Sequence, residues 1–91
     1  SIRYEKGSFE GHLSYRPTRC SNNRRLRIRK IIQRRSVTIG TTTTNDWGKW
    51  RFRAPGARGK FYAVAVRKKT VDGWGDPVIC WRTESGRIRV R

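Results

Sequence analysis

Arg24-Arg25-Leu26-Arg27-Ile28-Arg29 and, further along, Lys49-Trp50-Arg51-Phe52-Arg53 set cations against apolar side chains at every second residue. A strand turns successive side chains to opposite faces, whereas a helix needs a period near 3.6. Both stretches therefore predict strands with Leu26, Ile28, Trp50 and Phe52 inward and Arg25, Arg27, Arg29, Lys49, Arg51 and Arg53 outward. The tail Lys30-Ile31-Ile32 breaks the phase, which predicts a bulge or a change of face.

The same period recurs along the chain, and no helical period of useful length interrupts it. Phe9 to Tyr15 sets Phe9, Leu13 and Tyr15 against Glu10, His12 and Ser14. Gly11 falls in the inward register, where a neighbouring backbone is expected to approach closely. Ser36 to Thr43 reads as a strand with Val37 and Ile39 inward. Lys60 to Lys69 is apolar on both faces and is expected to be central. Val78 to Arg82 and Arg87 to Arg91 follow, the last with Ile88 and Val90 inward. Turn chemistry separates these runs: Arg16-Pro17-Thr18, Ser21-Asn22-Asn23, the polar Gln33-Arg34-Arg35, Ala54 to Gly59, Thr70 to Pro77, and Thr83 to Gly86. Thr44 to Gly48 is expected to fold the Ser36–Thr43 and Lys49–Arg53 strands into one β-hairpin. About seven short strands at about ten-residue spacing predict a single all-β domain over residues 1–91, an antiparallel sandwich. Residues 1–8 are expected to be a flexible or extended N-terminal segment.

Charge dominates the composition: 23 Lys+Arg against 6 Asp+Glu, net +17, with hydrophobic residues at 34%. Most of the cations are Arg, whose planar fork pairs bidentately with phosphate, sulfate or carboxylate. Such a chain is expected to attract nucleic acid, acidic glycans, anionic wall polymers, lipid headgroups or an acidic protein. The alternation supplies three candidate ladders: Arg25, Arg27 and Arg29; Lys49, Arg51 and Arg53; and Arg87, Arg89 and Arg91. Cations in one ladder lie about 6.5 to 7 Å apart, the two-residue strand repeat, which is comparable with phosphate or sulfate spacing along a polymer. On one face they would bind such a polymer; on different sheets they would keep the edges soluble.

Cys20 and Cys80 form no CxxC, and His12 is the one histidine, so no zinc site is expected. Cys20 lies just before the Arg24–Ile32 strand, and Cys80 shares a face with Val78. Two cysteines each beside an inward register can meet across a core, which predicts a disulfide rather than two buried thiols. Its loop of about 60 residues contributes about 4 kcal/mol on the chain-entropy model. A disulfide implies an oxidising compartment, so a secreted or cell-surface location is expected. No segment is long and apolar enough for a membrane-spanning helix.

Val37-Thr38-Ile39-Gly40-Thr41-Thr42-Thr43-Thr44-Asn45-Asp46-Trp47-Gly48-Lys49-Trp50-Arg51-Phe52, followed by Gly59-Lys60-Phe61-Tyr62-Ala63-Val64, resembles the carboxypeptidase-regulatory-like, or transthyretin-like (prealbumin-like), pattern. There a Thr-rich strand leads through a T-x-D-x-G turn to an aromatic return strand and a G-x-Y strand. Phe9-Glu10-Gly11 resembles the opening strand of such domains, and Cys20 and Cys80 resemble the cysteine pair of secreted bacterial members. Asn45-Asp46 and the bulky Trp47 depart from the usual turn. The resemblance implies a sandwich serving as a structural, interaction or sorting module, not a catalyst. One transthyretin-like branch hydrolyses hydroxyisourate with several His residues and a C-terminal Tyr-Arg-Gly-Ser, whereas this chain ends Arg-Ile-Arg-Val-Arg.

Catalytic supply is poor. His12 stands alone, no Ser lies in a nucleophile elbow, no Gly-rich phosphate loop occurs, and the six acids are scattered. No enzyme activity, cofactor or metal is expected. Trp50 reads as core. Trp47, in a hairpin tip, and Trp74, in a Gly-rich loop, either stack on sugar rings or bases or fold back over the core. Trp81 is expected to pack against an Arg by cation–π contact. The expectation is an exported, non-catalytic module contacting an anionic partner through its Arg ladders. Its rivals are a subunit of a filament, shell or surface assembly, and an intracellular nucleic-acid-binding small barrel, OB-like or ribosome-associated, with free thiols.

Overall fold

Period-2 alternation does produce an all-β chain. The computed structural model describes residues 1–15 and 18–91, with one 3-10 turn at Thr18–Cys20 and otherwise strands and loops. Among the described residues there are ten strands: β1 (Arg3–Glu5), β2 (Ser8–His12), β3 (Arg25–Ile32), β4 (Arg35–Thr43), β5 (Lys49–Arg53), β6 (Gly59–Ala65), β7 (Lys68–Val71), β8 (Pro77–Cys80), β9 (Thr83–Glu84) and β10 (Ile88–Val90). They form three antiparallel sheets: β1-β2-β5; β10-β6-β3-β4 with β9 also on β6; and β7-β8.

The count exceeds the expected seven by three, one of them β9, a two-residue strand that pairs with β6 inside the expected Thr83–Gly86 turn. Arg3–Glu5 forms a strand against Ser8–Glu10, joined by Lys6 and Gly7 at φ 50° and 79°. The long Lys60–Lys69 run breaks at Val66, whose carbonyl accepts from Arg24 Nε at 2.9 Å while its N–H reaches Arg25 O. The chain leaves the sheet there and returns as β7. The first strand is shorter than its alternation, ending at His12; the stop expected from Arg16-Pro17 falls outside the described residues.

The expected Ser36–Thr43/Lys49–Arg53 hairpin is also corrected. β4 pairs with β3, and β5 with β2, so the two strands belong to different sheets. Asn45 makes a tight turn, with its N–H on Lys49 O at 2.8 Å, but beyond it the strands diverge. Thr42 Oγ1 to Arg51 O at 2.8 Å spans the corner.

The inner faces of the two larger sheets share one core: Phe9 and Trp50 from one, Leu26, Ile28, Phe61, Ala63 and Ala65 from the other. Every residue from Phe61 to Ala65 is buried, as expected of a central strand. Gly11 meets its expectation, since a Cβ there would lie 2.0 Å from Ser1 O and 2.8 Å from the Trp50 ring. Gly40 serves likewise as the seat of Phe52, whose ring carbon would lie 2.1 Å from an added Cβ. Val37 and Ile39 are not buried, at 42% and 38% exposed, although Val37 opposes Lys30 on the inward phase. The register slips after Ile28, where Ile28 opposes Gly40 but Arg29 opposes Thr38. Ile39 is the extra residue of that bulge, so the phase break expected in β3 is expressed on its neighbour.

Cys20 and Cys80 are bonded, with Cα atoms 5.4 Å apart and both residues fully buried. Beside them lies a cation that alternation alone did not single out. Arg24 is fully buried, and its guanidinium donates to Cys20 O (2.8 Å), Cys80 O (3.3 Å) and Trp81 O (2.5 Å) as well as Val66 O. It thus ties both half-cystine carbonyls to the end of β6. Among the described residues no carboxylate pairs with it, and burial pushes its pKa below the ordinary guanidinium value.

Candidate polyanion-binding face

The registers of β3, β4, β6 and β10 place the outward side chains of the five-stranded sheet. Arg25 faces Thr43, Arg27 faces Thr41, and Arg29 faces Thr38. On the other side of β3, Arg27 faces Val64 and Arg29 faces Tyr62, while Lys60 faces Arg89 on β10. Arg87 continues that line, its guanidinium carbon 5.0 Å from the centre of the Tyr62 ring. Arg25, Arg27, Arg29, Lys60, Arg87 and Arg89 therefore share one face. Adjacent strands lie about 4.8 Å apart, so β3 and β10, with β6 between them, are about 10 Å apart.

Acidic partners are scarce on this face. Glu84 opposes Val64 and is held by Arg82 at 3.2 Å. Among the described residues, none of the six face cations forms an ion pair. Arg29 is committed to its own sheet, donating to Thr38 Oγ1 (2.8 Å) and Ser36 O (2.9 Å), while its buried Nε has no partner. Arg25, Arg27, Arg87, Arg89 and Lys60 are exposed. Beneath them, Tyr62 is buried, and its hydroxyl donates to Ser36 Oγ at 2.9 Å.

Lys49, Arg51 and Arg53 lie elsewhere, on the outer face of the three-stranded sheet. There Arg3, Glu10 and Arg51 form one cross-strand row. Glu10 bridges both cations, Oε1 to Arg3 at 2.7 Å and Oε2 to Arg51 at 3.2 Å. The hydrogen bond from Arg51, reinforced by Arg3 and opposed by partial burial, holds the Glu10 carboxyl below the usual carboxylate range. Arg53 faces Ser8, which in turn faces Glu5, and Lys49 faces His12. The three expected ladders thus divide: two share one sheet, and the third is interleaved with acids on another. Arg91, exposed, follows the end of β10.

The tryptophans divide as well. Trp50 is core. Trp47 and Trp74 do not fold back, being 74% and 91% exposed. Trp81 packs under Arg67, with the guanidinium carbon 5.7 Å from the ring centre. His12 is exposed, and its Nε2 donates to Trp47 O at 2.8 Å. Among the described residues, no three His, Cys, Asp or Glu side chains are grouped to hold a metal ion. Among them, too, no helix is long and apolar enough to cross a membrane. Of the cations outside the three ladders, Lys60 stands on the five-stranded face and Arg24 is buried beside the disulfide. Arg24 shares parity with Leu26 and Ile28, and that phase is the signal in the sequence for its burial.

No family model, curated protein or solved structure matches the chain.

Proposed function

We propose that this chain is a non-catalytic binding module, a β-sandwich of the transthyretin-like kind, that receives a linear polyanion on the outer face of its five-stranded sheet. The observation that carries the reading is the set of six cations on that face without an ion pair among the described residues. Like charges on neighbouring strands oppose one another in the free sheet. A phosphodiester or sulfated chain relieves that repulsion, and Arg forks bind its oxygens bidentately. The sandwich reading is supported by the core shared between the two larger sheets, and the exported location by the Cys20–Cys80 bond.

Binding of heparin and of a single-stranded oligonucleotide, measured against salt, tests the function. Removing one cation that neutralises a phosphate lowers the salt slope by about 0.7 to 1. Arg25→Gln, Arg27→Gln and Arg89→Gln together are expected to lower it by about two to three on that basis. Arg51→Gln, whose side chain is occupied by Glu10, changes it little. Absence of binding at physiological salt, or equal losses from both faces, defeats the proposal.

The assembly reading has one observation in its favour. β4 is the edge of its sheet, nine residues long, with Val37 and Ile39 exposed. Long unprotected edges pair with other strands. Light scattering across a concentration series tests this, and a constant monomer mass removes it.

A further inference from the structure

Among the described residues β7 and β8 pair only with each other, so this hairpin stands apart from the larger sheets as a two-stranded ribbon. Its register assigns two faces. Lys68, Thr70, Val78 and Cys80 share one, which is buried at Cys80 and half-buried at the other three. On the other, Lys69 opposes Ile79 and Val71 opposes Pro77, and all four are exposed. Arg67 and Trp81, in cation–π contact, extend this face at its base, and Trp74 stands at the tip. From base to tip the face runs from cation with indole, to cation with aliphatic, to aliphatic alone, to a bare indole.

The exposure of Trp74 is built into its turn. Asp72 Oδ1 accepts from Trp74 N (2.8 Å) and Asp76 N (2.9 Å). Gly75 N donates to Asp72 O, Asp72 N donates to Asp76 O, and Gly75 has φ +81°. The same five-residue turn occurs a second time. Asn45 Oδ1 accepts from Trp47 N (2.9 Å) and Lys49 N (3.0 Å). Gly48 N donates to Asn45 O, Asn45 N donates to Lys49 O, and Gly48 has φ +77°. In both turns an indole occupies the third position and faces water.

We propose that the β7–β8 hairpin, seconded by the Trp47 turn, docks on the interface of a bilayer carrying anionic headgroups. Indole rings favour the headgroup level, where one end stays wet and the body leaves water. Arg67 and Lys69 lie about 10 to 15 Å behind the tip by strand rise, which suits a shallow insertion with the cations at the phosphates. Val71, Pro77 and Ile79 add aliphatic surface that an acyl boundary uses and a nucleobase, needing a flat ring to stack on, does not. The Asp72 carboxylate is turned inward on its own loop, where Oδ1 accepts from Trp74 N and Asp76 N, so it is engaged by backbone donors behind the indole. A net charge of +17 disfavours a second copy as the occupant. These residues differ from those of the sheet face, so the two proposals fail separately.

The test uses the full chain with vesicles of phosphatidylcholine and phosphatidylglycerol whose acyl chains are brominated near the headgroup. Tryptophan emission is expected to shift to the blue and to be quenched. Trp74→Ala and Trp47→Ala each lower partitioning about tenfold, a part of what full burial of an indole would give, while circular dichroism and oligonucleotide binding stay as in the parent. Three results overturn the proposal: no bromine quenching, partitioning of both variants equal to the parent, or quenching by an oligonucleotide in place of lipid.

Discussion

Replacing Arg24 by Met keeps a stem of similar length and removes every donor. Two effects then compete. The buried charge disappears, and with it the desolvation that depresses its pKa, which favours the variant. Against this, the carbonyls of Cys20, Val66, Cys80 and Trp81 lose their donor together. A buried unsatisfied polar group costs about 1–3 kcal/mol. Two such groups, on Cys20 and Cys80, with the part-buried carbonyls of Val66 and Trp81 beside them, outweigh the relieved charge, and a net loss of about 3 kcal/mol is expected. That is a large part of the roughly 5–15 kcal/mol available to a small domain. Urea denaturation of the oxidised protein, followed by circular dichroism, measures it. Arg27→Met, on the exposed face, serves as the control and should stay within about 0.5 kcal/mol of the parent. If Arg24→Met loses less than about 1 kcal/mol, the lower bound for even one orphaned carbonyl, the guanidinium is not what holds the disulfide strands to the end of β6.

The Cys20→Ser/Cys80→Ser protein is expected to lose about 4 kcal/mol, the chain-entropy value for its loop, in the same urea assay; equal stability of the two forms would refute the bracing role. Gln33 and Arg34 join β3 to β4 at φ 48° and 70°, a conformation that suits Asn-Gly. Gln33→Asn with Arg34→Gly should therefore raise stability by about 1–2 kcal/mol, and a loss would show that the turn is held differently. Glu10, its pKa depressed in the folded chain by Arg51 and Arg3, stabilises the fold in full above the ordinary carboxylate range of the unfolded chain, and this is lost as pH falls through the lower folded value. Glu10→Gln should flatten the acid limb of the stability curve, and an unchanged limb would place the linkage elsewhere.

Alternation reveals which residues form strands and which way they face, because the period is local. Leu26, Ile28, Trp50 and Phe61 are buried on the phase that their neighbours predict. Arg24 and Lys30 belong to that same inward phase, and their charge conceals it. Arg24 is buried on four carbonyls, and Lys30 Nζ lies 5.7 Å from the centre of the Phe61 ring. What alternation cannot supply is the neighbour. Thr44 to Gly48 carries the chemistry of a tight turn whether the flanking strands pair or diverge. Their divergence is decided at a distance, by β2 against β5 and β3 against β4. Ile39 escapes the local period for a related reason, since the bulge belongs to a pair of strands and not to either sequence alone.

The same limit explains the candidate site. In sequence, the Arg25–Arg29 and Lys49–Arg53 ladders are near equivalents, each with cations at every second position. Long-range pairing makes them differ. Glu10 sits opposite Arg51 because β2 lies beside β5, and Arg3 arrives from β1 to share the carboxylate. β3 lies between β4, whose outward residues opposite its ladder are Thr38, Thr41 and Thr43, and β6, which offers Val64 and Tyr62. β9 brings Glu84 onto the row of Val64 and Arg27, but that carboxylate pairs with Arg82, and neither Arg25 nor Arg27 forms an ion pair among the described residues. The ladder's availability to a polyanion is thus a property of strand order. Moving a carboxylate onto β4, as in Thr41→Glu opposite Arg27, should weaken binding through that row alone, whereas Thr42→Glu, on the other face of the same strand, should lose the bond to Arg51 O and leave polyanion binding as in the parent.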